Sequence, residues 1–185
     1  MTTQQQQEVL RKIAGAAIES EKGTGVPARF TVAQCVLETG YLQYMPAGSN
    51  NCFGVKCPTG RTGVLAYSHE WFTDAQFNAF VEMGCGRCAV PDHTEPEKDT
   101  QGRTYYLVRD LFMQFASLGE CFTYRATKLL SGPLYSKAMT QFRKDGSVRG
   151  LIESVAPIYS TSDRYAATVT QIAFSPAVDA ALRAA

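Results

Sequence analysis

Apolar residues recur at three- and four-residue spacing near the start of the chain and again in its second half, a pattern typical of helices with one buried face. The first predicted helix covers about residues 4–21 and ends at a segment rich in glycine and containing proline. The second begins at Thr31 and Gln34, which have the spacing of a capping box, and ends at Gly40. The start of the chain therefore predicts two helices.

The middle of the chain has a different pattern. Between about residues 45 and 103 the helical spacing is lost, and Gly, Pro, Asn and short apolar runs predict loops and small strands. The run RTYYLVRDLFMQF at the end of this segment is rich in β-forming residues and predicts a strand. Helical spacing then returns, with helices expected to start near Ser117, Tyr135, Val148, Tyr165 and Pro176. Long irregular segments usually carry function or structure of their own, so we expect part of a site there.

Composition narrows the class of protein. The 185 residues are 45% apolar and 19% charged, as expected for one globular domain over residues 1–185. Lys and Arg number 18 and Asp and Glu number 17, so the basic excess of a nucleic-acid-binding protein is missing. No apolar run is long enough to span a membrane, and MTTQQQQEVL lacks the features of a signal peptide. We expect a monomer with no nucleic-acid partner.

Glu38 is the carboxylate whose position points most directly to chemistry. It lies at the predicted C-terminal end of the second helix, where the helix dipole disfavours negative charge, and it follows the apolar residues Val36 and Leu37. Both effects raise the pKa of a carboxyl group, as a general acid that works near neutral pH requires. The alternative is a surface glutamate that follows a buried helical turn.

Four segments resemble, in order, a known enzyme family. AQCVLETGYLQ followed by SNNCFGVKC is similar to the paired signature of glycoside hydrolase family 73, the flagellar and autolysin type of endo-β-N-acetylglucosaminidase. FASLGECFTYRATKLL and YSTSDRYAATVTQI resemble two later segments of that family. Thr39 and Tyr41 depart from the family pattern, which commonly has Ser and Trp, but they keep the chemical type.

The resemblance implies an α+β, mostly helical, lysozyme-like fold with a small β-lobe or hairpin. About thirty residues beyond the family pattern predict a Cys-containing insertion at about residues 58–92 in the β-lobe. The implied activity is hydrolysis of the β-1,4 glycosidic bond after N-acetylglucosamine in peptidoglycan, with glycan strands as the partner and no cofactor in catalysis. Because this substrate lies outside the cytoplasm, we expect action in the periplasm or cell wall, or delivery by a phage.

The resemblance also assigns the two carboxylates of a glycosidase. Glu38 matches the family's catalytic glutamate and is expected to protonate the leaving oxygen. A second carboxylate on the β-hairpin is expected to activate water or stabilise the positive sugar ring, with Glu97 the first choice and Glu95 the second. Asp92, Asp99 and Glu70 are weaker candidates for that role. For Glu95 and Glu97 the alternative is a solvated acidic turn.

Aromatic and amide side chains complete the expected substrate site. Tyr159 matches a functional tyrosine of the family, which orients the substrate, although its spacing also fits the end of a helix stripe. Tyr165 is expected in the groove wall or the core, and Tyr41 to offer a ring face to a sugar. Asn50 and Asn51 are expected to bind sugar hydroxyl or acetamido groups, or else to be turn residues.

The cysteines suggest a structural staple for the insertion. Cys85 and Cys88 form a C-x2-C pair, and with Cys57 they bracket the insertion as a structural zinc site would. The candidates for a fourth ligand are Cys52, His69 and His93. A disulfide from Cys57 to Cys85 or Cys88 is the alternative.

Two other functions remain open from the sequence. A peptidoglycan-binding or assembly protein would keep the groove without turnover, and this is favoured if no second carboxylate can approach Glu38. A lytic transglycosylase or other muramidase would cleave the neighbouring type of bond, and a transglycosylase relies on a single acid. The family-type Asn-x-Phe-Gly segment and the Tyr159 segment argue against the transglycosylase.

Overall fold

A computed structural model describes residues 1–58, 60–84, 86–89, 99–160 and 162–185. Its helices are α1 (Thr3–Thr24), α2 (Ala28–Thr39), α3 (Asp74–Glu82), α4 (Leu118–Tyr124), α5 (Ser136–Asp145), α6 (Val148–Tyr159), α7 (Tyr165–Ala173) and α8 (Pro176–Ala184). A π-helical segment, Arg125–Leu130, continues α4. The strands are β1 (Gly63–Phe72), β2 (Cys88–Ala89) and β3 (Thr104–Met113). The fold is α+β and mostly helical, as predicted.

The chain forms two compact units. Residues 1–45 and 116–185 make one, here called the helical unit, and residues 46–115 make the other, the sheet unit. In the helical unit, α2 contacts α1, α6, α7 and α8. Nine of the twelve residues of α2 are buried, because neighbouring helices cover most of its circumference. The helix that carries Glu38 is therefore the central helix of its unit.

The predicted start of α2 is wrong. The helix begins at Ala28, directly after Pro27, whose φ of −56° suits entry into a helix. The side chain of Glu21 at the end of α1 accepts a hydrogen bond from the Ala28 amide at 3.1 Å, so a residue from another helix caps this end. Thr31 and Gln34 lie inside the helix and are only 3% and 0% exposed. Their capping-box spacing is a coincidence of composition.

The end of α2 agrees with the prediction. Gly40 has a φ of +53° and terminates the helix in the left-handed conformation, where glycine has no steric cost. Thr39 holds the turn, because its hydroxyl donates to the carbonyl of Cys35 and accepts from the amide of Leu42 at 2.9 Å. A Cβ atom at position 40 would meet the ring of Tyr44 at 2.5 Å. Glu38 is thus held in the last turn of a firmly terminated helix.

The other predicted helices are present. Ser117 caps α4 by accepting from the amide of Glu120 at 3.1 Å, and Ser175 caps α8 just before Pro176. The apolar stripe of α4 continues into the π-helical segment, which begins at the fully buried Arg125. These helices close the helical unit around a core that includes Phe30, Ala33, Leu130, Leu151, Val155 and Val169.

The sheet unit is more regular than its sequence indicates. Strands β1 and β3 pair antiparallel from Gly63 opposite Met113 to Phe72 opposite Thr104. Strand β2 pairs with the other edge of β3, and helix α3 follows β1 directly. The start of α3 carries a capping box, in which Thr73 accepts from the amide of Gln76 at 3.3 Å. The described part of the predicted insertion at about residues 58–92 thus has its own secondary structure, while the single-domain boundaries stay a prediction.

Candidate active site

Glu38 lines a pocket that belongs to the helical unit. The pocket has a volume of about 330 Å³. It is lined by Leu37, Glu38, Tyr159, Ser160, Ser162, Arg164, Tyr165 and Thr168. Glu38 comes from the last turn of α2, whereas most of the other residues come from the end of α6 and the start of α7. The packing of α2 against α6 and α7 therefore brings together two segments that are more than a hundred residues apart in the chain.

A chain of hydrogen bonds links Glu38 to the interior. The hydroxyl of Tyr165 donates to Glu38 Oε1 at 2.7 Å. Gln34 Nε2 in turn donates to the same hydroxyl at 2.8 Å. Gln34 and Glu38 are four residues apart on α2, so their side chains lie on one face of the helix. The tyrosine thus bridges two residues of α2 from a helix more than a hundred positions away.

Burial of its carboxyl group raises the pKa of Glu38 above its ordinary value. The hydrogen bond from Tyr165 and the charge of Arg125 act in the opposite direction, but burial outweighs them. The side chain is exposed at the pocket, and the protein surrounds the carboxyl group on its inner side. The direction of this shift agrees with the sequence-based expectation, and burial of the carboxyl group accounts for it.

Tyr159 and Tyr165 form the wall beside Glu38. Their rings stack with centroids 5.5 Å apart. Burial and the nearby carboxylate of Glu38 raise the pKa of both phenols, so both hydroxyl groups keep their protons at physiological pH. Both residues belong to the YSTSDRY segment singled out in the sequence. The structure brings them to the same pocket as Glu38, with Tyr165 bonded directly to the carboxylate.

Arg125 is a charged residue of this region that the sequence reading missed. It is 0% exposed, and its guanidinium carbon lies 4.8 Å from the centre of the Phe30 ring. Its charge acts on Glu38, Tyr159 and Tyr165. The sequence signal that could have identified Arg125 is its position in the apolar stripe that continues α4, where an arginine is unexpected. A π-helical segment begins at this residue, and such segments are frequent at functional sites.

Tyr41 lies in the turn that follows α2, and Asn50 and Asn51 lie in the irregular segment before β1. Tyr41 has a φ of +62° and follows Gly40. Asn50 donates to the carbonyl of Phe115 at 2.9 Å. Asn51 is 1% exposed and uses both ends of its amide on backbone groups of Val55 and Met113. The amide of Asn51 is thus buried and already paired with the backbone, and its role in binding substrate stays a prediction.

The candidates for a second carboxylate differ in where they lie. Glu97, Glu95 and Asp92 fall outside the described residues. Asp99 accepts hydrogen bonds from the amides of residues 101 and 103 and from the side chain of residue 103, so its carboxylate closes a turn. Glu70 lies on β1, with a 29% exposed side chain, and its Oε1 accepts from Lys56 and Ser68.

The other carboxylate on the paired strands has a structural role. Asp110 on β3 is 6% exposed and lies between Arg87 and Lys56, at 2.8 Å from a nitrogen of each. Burial opposes its charge, but the hydrogen bonds from Lys56 and Arg87 outweigh burial and lower the pKa of Asp110. Asp110 is therefore a counter-ion for two cations within the sheet unit.

The cysteines predicted to form a staple are only partly described. Cys57 and Cys88 carry free thiols, and Cys85 lies outside the described residues. The sulfur of Cys57 lies within hydrogen-bond distance of the carbonyls of residues 61 and 62, at 3.5 and 3.7 Å, and its single hydrogen can be donated to either. A disulfide between Cys57 and Cys88 is therefore not formed. The zinc site that includes Cys85 stays a prediction.

The remaining candidates for a zinc ligand make other contacts. Cys52 is buried, and its thiol lies 3.9 Å from the Asn50 carbonyl. The ring of His69 stacks on Tyr105 with centroids 5.0 Å apart, and His93 is not among the described residues. Within the described ranges, no three His, Cys, Asp or Glu side chains come together as a metal site. In those same ranges no helix is long and apolar enough to cross a membrane.

Comparison with solved structures supports the lysozyme-like α+β fold. A peptidoglycan hydrolase mutant from Sphingomonas sp. A1 is similar with a TM-score of 0.64 at 20% identity, over 97% of this chain and 99% of that one. The catalytic domain of the autolysin Auto from Listeria monocytogenes gives 0.68 at 18% identity, over 98% and 89%. A truncated glycoside hydrolase domain of FlgJ from Salmonella typhimurium gives 0.57 at 18% identity, over 91% and 95%.

A family match identifies the chain as a glycoside hydrolase. The family described as glucosaminidase, mannosyl-glycoprotein endo-beta-N-acetylglucosaminidase, matches residues 14–175. The chain belongs to this family, which confirms the resemblance seen in its sequence motifs. No curated protein sequence matches the chain significantly.

Proposed function

We propose that the protein hydrolyses the β-1,4 glycosidic bond after N-acetylglucosamine in peptidoglycan, with Glu38 as the general acid. The observation that carries this proposal is the environment of Glu38, a pocket carboxyl whose pKa is raised by burial and whose Oε1 is bound by Tyr165. The family match supports the reaction class. The Sphingomonas and Listeria structures, described as a peptidoglycan hydrolase and an autolysin, support the polymer.

The reaction begins when protonated Glu38 gives its proton to the oxygen of the scissile bond. The bond between that oxygen and the anomeric carbon breaks, and positive charge develops on the sugar ring. A second carboxylate stabilises this charge or activates the attacking water. In either case the water oxygen bonds to the anomeric carbon, and the proton that the water loses goes to a carboxylate of the site. Tyr159, beside Glu38, orients the substrate, and its neutral hydroxyl serves as a hydrogen-bond donor.

The second carboxylate comes from the sheet unit in this proposal. Among the described residues we rank Glu70 first, because it is a partly exposed carboxylate on a strand of the antiparallel pair, whereas Asp110 is buried between two cations. Over the whole chain Glu97 stays the first choice and Glu95 the second, both on the segment before β3. A catalytic partner of Glu38 must act as an ion, and the contacts of Glu70 with Lys56 and Ser68 are compatible with that state.

The experiment is digestion of purified peptidoglycan by the protein and four single variants, Glu38→Gln, Glu70→Gln, Glu95→Gln and Glu97→Gln. Each change keeps size and removes charge, so folding is checked by circular dichroism before soluble glycan release is measured. We expect Glu38→Gln to lose about 10²–10⁴-fold in rate, and one of the other three to lose a comparable factor. An active Glu38→Gln protein contradicts the assignment. Binding without release by the unaltered protein supports the non-catalytic alternative.

A further inference from the structure

Gln34 is a buried amide with an unusual hydrogen-bond balance. Its side chain is 0% exposed, and its Nε2 donates to Tyr165. Its Oε1 is buried and has no hydrogen-bond partner among the described residues. Leaving a buried polar atom unpaired is costly, and an apolar side chain of similar shape would avoid that cost. Packing alone therefore does not account for an amide at this position.

The single hydrogen of the Tyr165 hydroxyl can be donated only once. Its oxygen lies within hydrogen-bond distance of both Gln34 Nε2 and Glu38 Oε1. Because the Nε2 end of Gln34 can only donate, the tyrosine oxygen accepts from Gln34, and its own hydrogen is directed to Glu38. Both hydrogen bonds therefore run in one direction, from Gln34 to Tyr165 to Glu38.

This direction decides which oxygen of Glu38 carries the transferable proton. Oε1 accepts from Tyr165, so a proton on that oxygen would face the donated hydrogen of the tyrosine. No donor from the described part of the chain binds Oε2. The proton of neutral Glu38 is thereby favoured on Oε2, free for transfer.

We propose that Gln34 is a positioning residue for the acid step, which it controls through Tyr165 by keeping the proton of Glu38 on Oε2. This inference rests on the proposed function of Glu38, but its first test does not require activity. Gln34 itself touches neither substrate nor the reacting atoms. Tyr159 from α6 and Arg125 from the π-helical segment also act electrostatically with Glu38, and Arg164 lines the same pocket.

The first test measures the pKa of Glu38 by ¹³C NMR titration of its carboxyl carbon, assigned with the Glu38→Gln variant. Gln34→Met removes the donor at nearly constant volume, which weakens the hydrogen bond from Tyr165 to the ionised carboxylate because linked hydrogen bonds strengthen one another. We expect the pKa of Glu38 to rise in Gln34→Met. In the Tyr165→Phe background, the same Gln34→Met substitution should leave the pKa of Glu38 unchanged, because the connecting hydroxyl is gone.

The second test uses kinetics on soluble peptidoglycan fragments. We expect Gln34→Met to lower kcat about fivefold to tenfold with little change in KM, the loss expected for one hydrogen bond. Gln34→Glu should keep activity at acid pH, where its protonated carboxyl still donates to Tyr165, and lose it as that group ionises. Ser20→Ala removes a buried polar group elsewhere in the helical unit, and it should leave kcat unchanged.

The outcomes separate the two proposals. Equal shifts in the pKa of Glu38 on Gln34→Met, with and without the Tyr165 hydroxyl, overturn the positioning role, as does the absence of any shift. A Gln34→Glu protein whose activity follows that of Gln34→Met at every pH also overturns it. A wild-type protein without hydrolytic activity, but with the expected NMR shifts, overturns the proposed function and leaves the hydrogen-bond relationship intact.

Discussion

The substitution Tyr165→Phe removes one oxygen atom and leaves the ring in place. In the native protein that oxygen donates to Glu38 Oε1 at 2.7 Å and accepts from Gln34 at 2.8 Å. The ring stacks on Tyr159 and does not depend on the hydroxyl. The variant therefore tests the two hydrogen bonds with little change in packing.

The expected loss of stability depends on pH. Gln34 Nε2 stays buried and loses its acceptor at every pH, which costs about 1–3 kcal/mol. The hydrogen bond from Tyr165 to Glu38 contributes most to stability when Glu38 is ionised. Because the carboxyl group faces the pocket, water compensates for part of this hydrogen bond when it is lost. We take about 1 kcal/mol for this contribution. The variant should therefore lose about 1–3 kcal/mol at acid pH and about 1 kcal/mol more once Glu38 is ionised.

Urea unfolding followed by circular dichroism measures both values, at pH below and above the folded-state pKa of Glu38. Tyr44→Phe is the matched control, because Tyr44 is 78% exposed in the same unit and its hydroxyl is solvated. The control should change stability by less than about 0.5 kcal/mol. If Tyr165→Phe behaves like this control, or loses the same free energy at both pH values, the hydrogen-bond chain does not carry the energy assigned to it.

Four further substitutions test the contributions of charged residues in the two units. A carboxyl whose folded-state pKa is raised contributes stability below its unfolded-state pKa, and that contribution is lost as pH rises through the folded-state pKa. Glu38→Gln should therefore be more stable than the wild type at high pH and show no gain under acid conditions, as measured by chemical unfolding across pH. Arg125→Met should raise the pKa of Glu38 further, because the charge of Arg125 lowers it, and an unchanged NMR titration would contradict this. Asp110→Asn should destabilise the protein by about 3–5 kcal/mol because it leaves Arg87 buried without its counter-ion. Lys56→Met should cost much less because the side chain of Lys56 is 42% exposed. Urea unfolding of both variants measures the difference.

The helices of the helical unit and Glu38 were accessible from sequence because their signals are local, whereas α3 lies in a segment where only loops and small strands were predicted. Apolar spacing, Gly40 and the short motif around Glu38 all lie within a few turns of one another. The start of α2 could not be predicted from the sequence, since its cap comes from Glu21 on the preceding helix rather than from Thr31 and Gln34. A capping-box spacing inside a helix that is buried on several sides has no capping function.

The chemistry around Glu38 depends on long-range contacts that no local pattern contains. Tyr165 is 127 positions from Glu38 and 131 from Gln34, and only the packing of α7 on α2 brings them together. Similarly, Arg125 occupied a position in an apolar stripe, but its burial against Phe30 follows from tertiary structure. The pairing of β1 with β3 likewise joins segments separated by α3 and β2.

The central claim is tested most directly by identifying the new ends that the protein creates in purified peptidoglycan. The digest is reduced with borohydride and its fragments are sequenced by mass spectrometry, with Glu38→Gln as the blank. Our account predicts reduced N-acetylglucosamine at the new ends of the wild-type digest and none in the blank. New ends that carry reduced or anhydro N-acetylmuramic acid would contradict it.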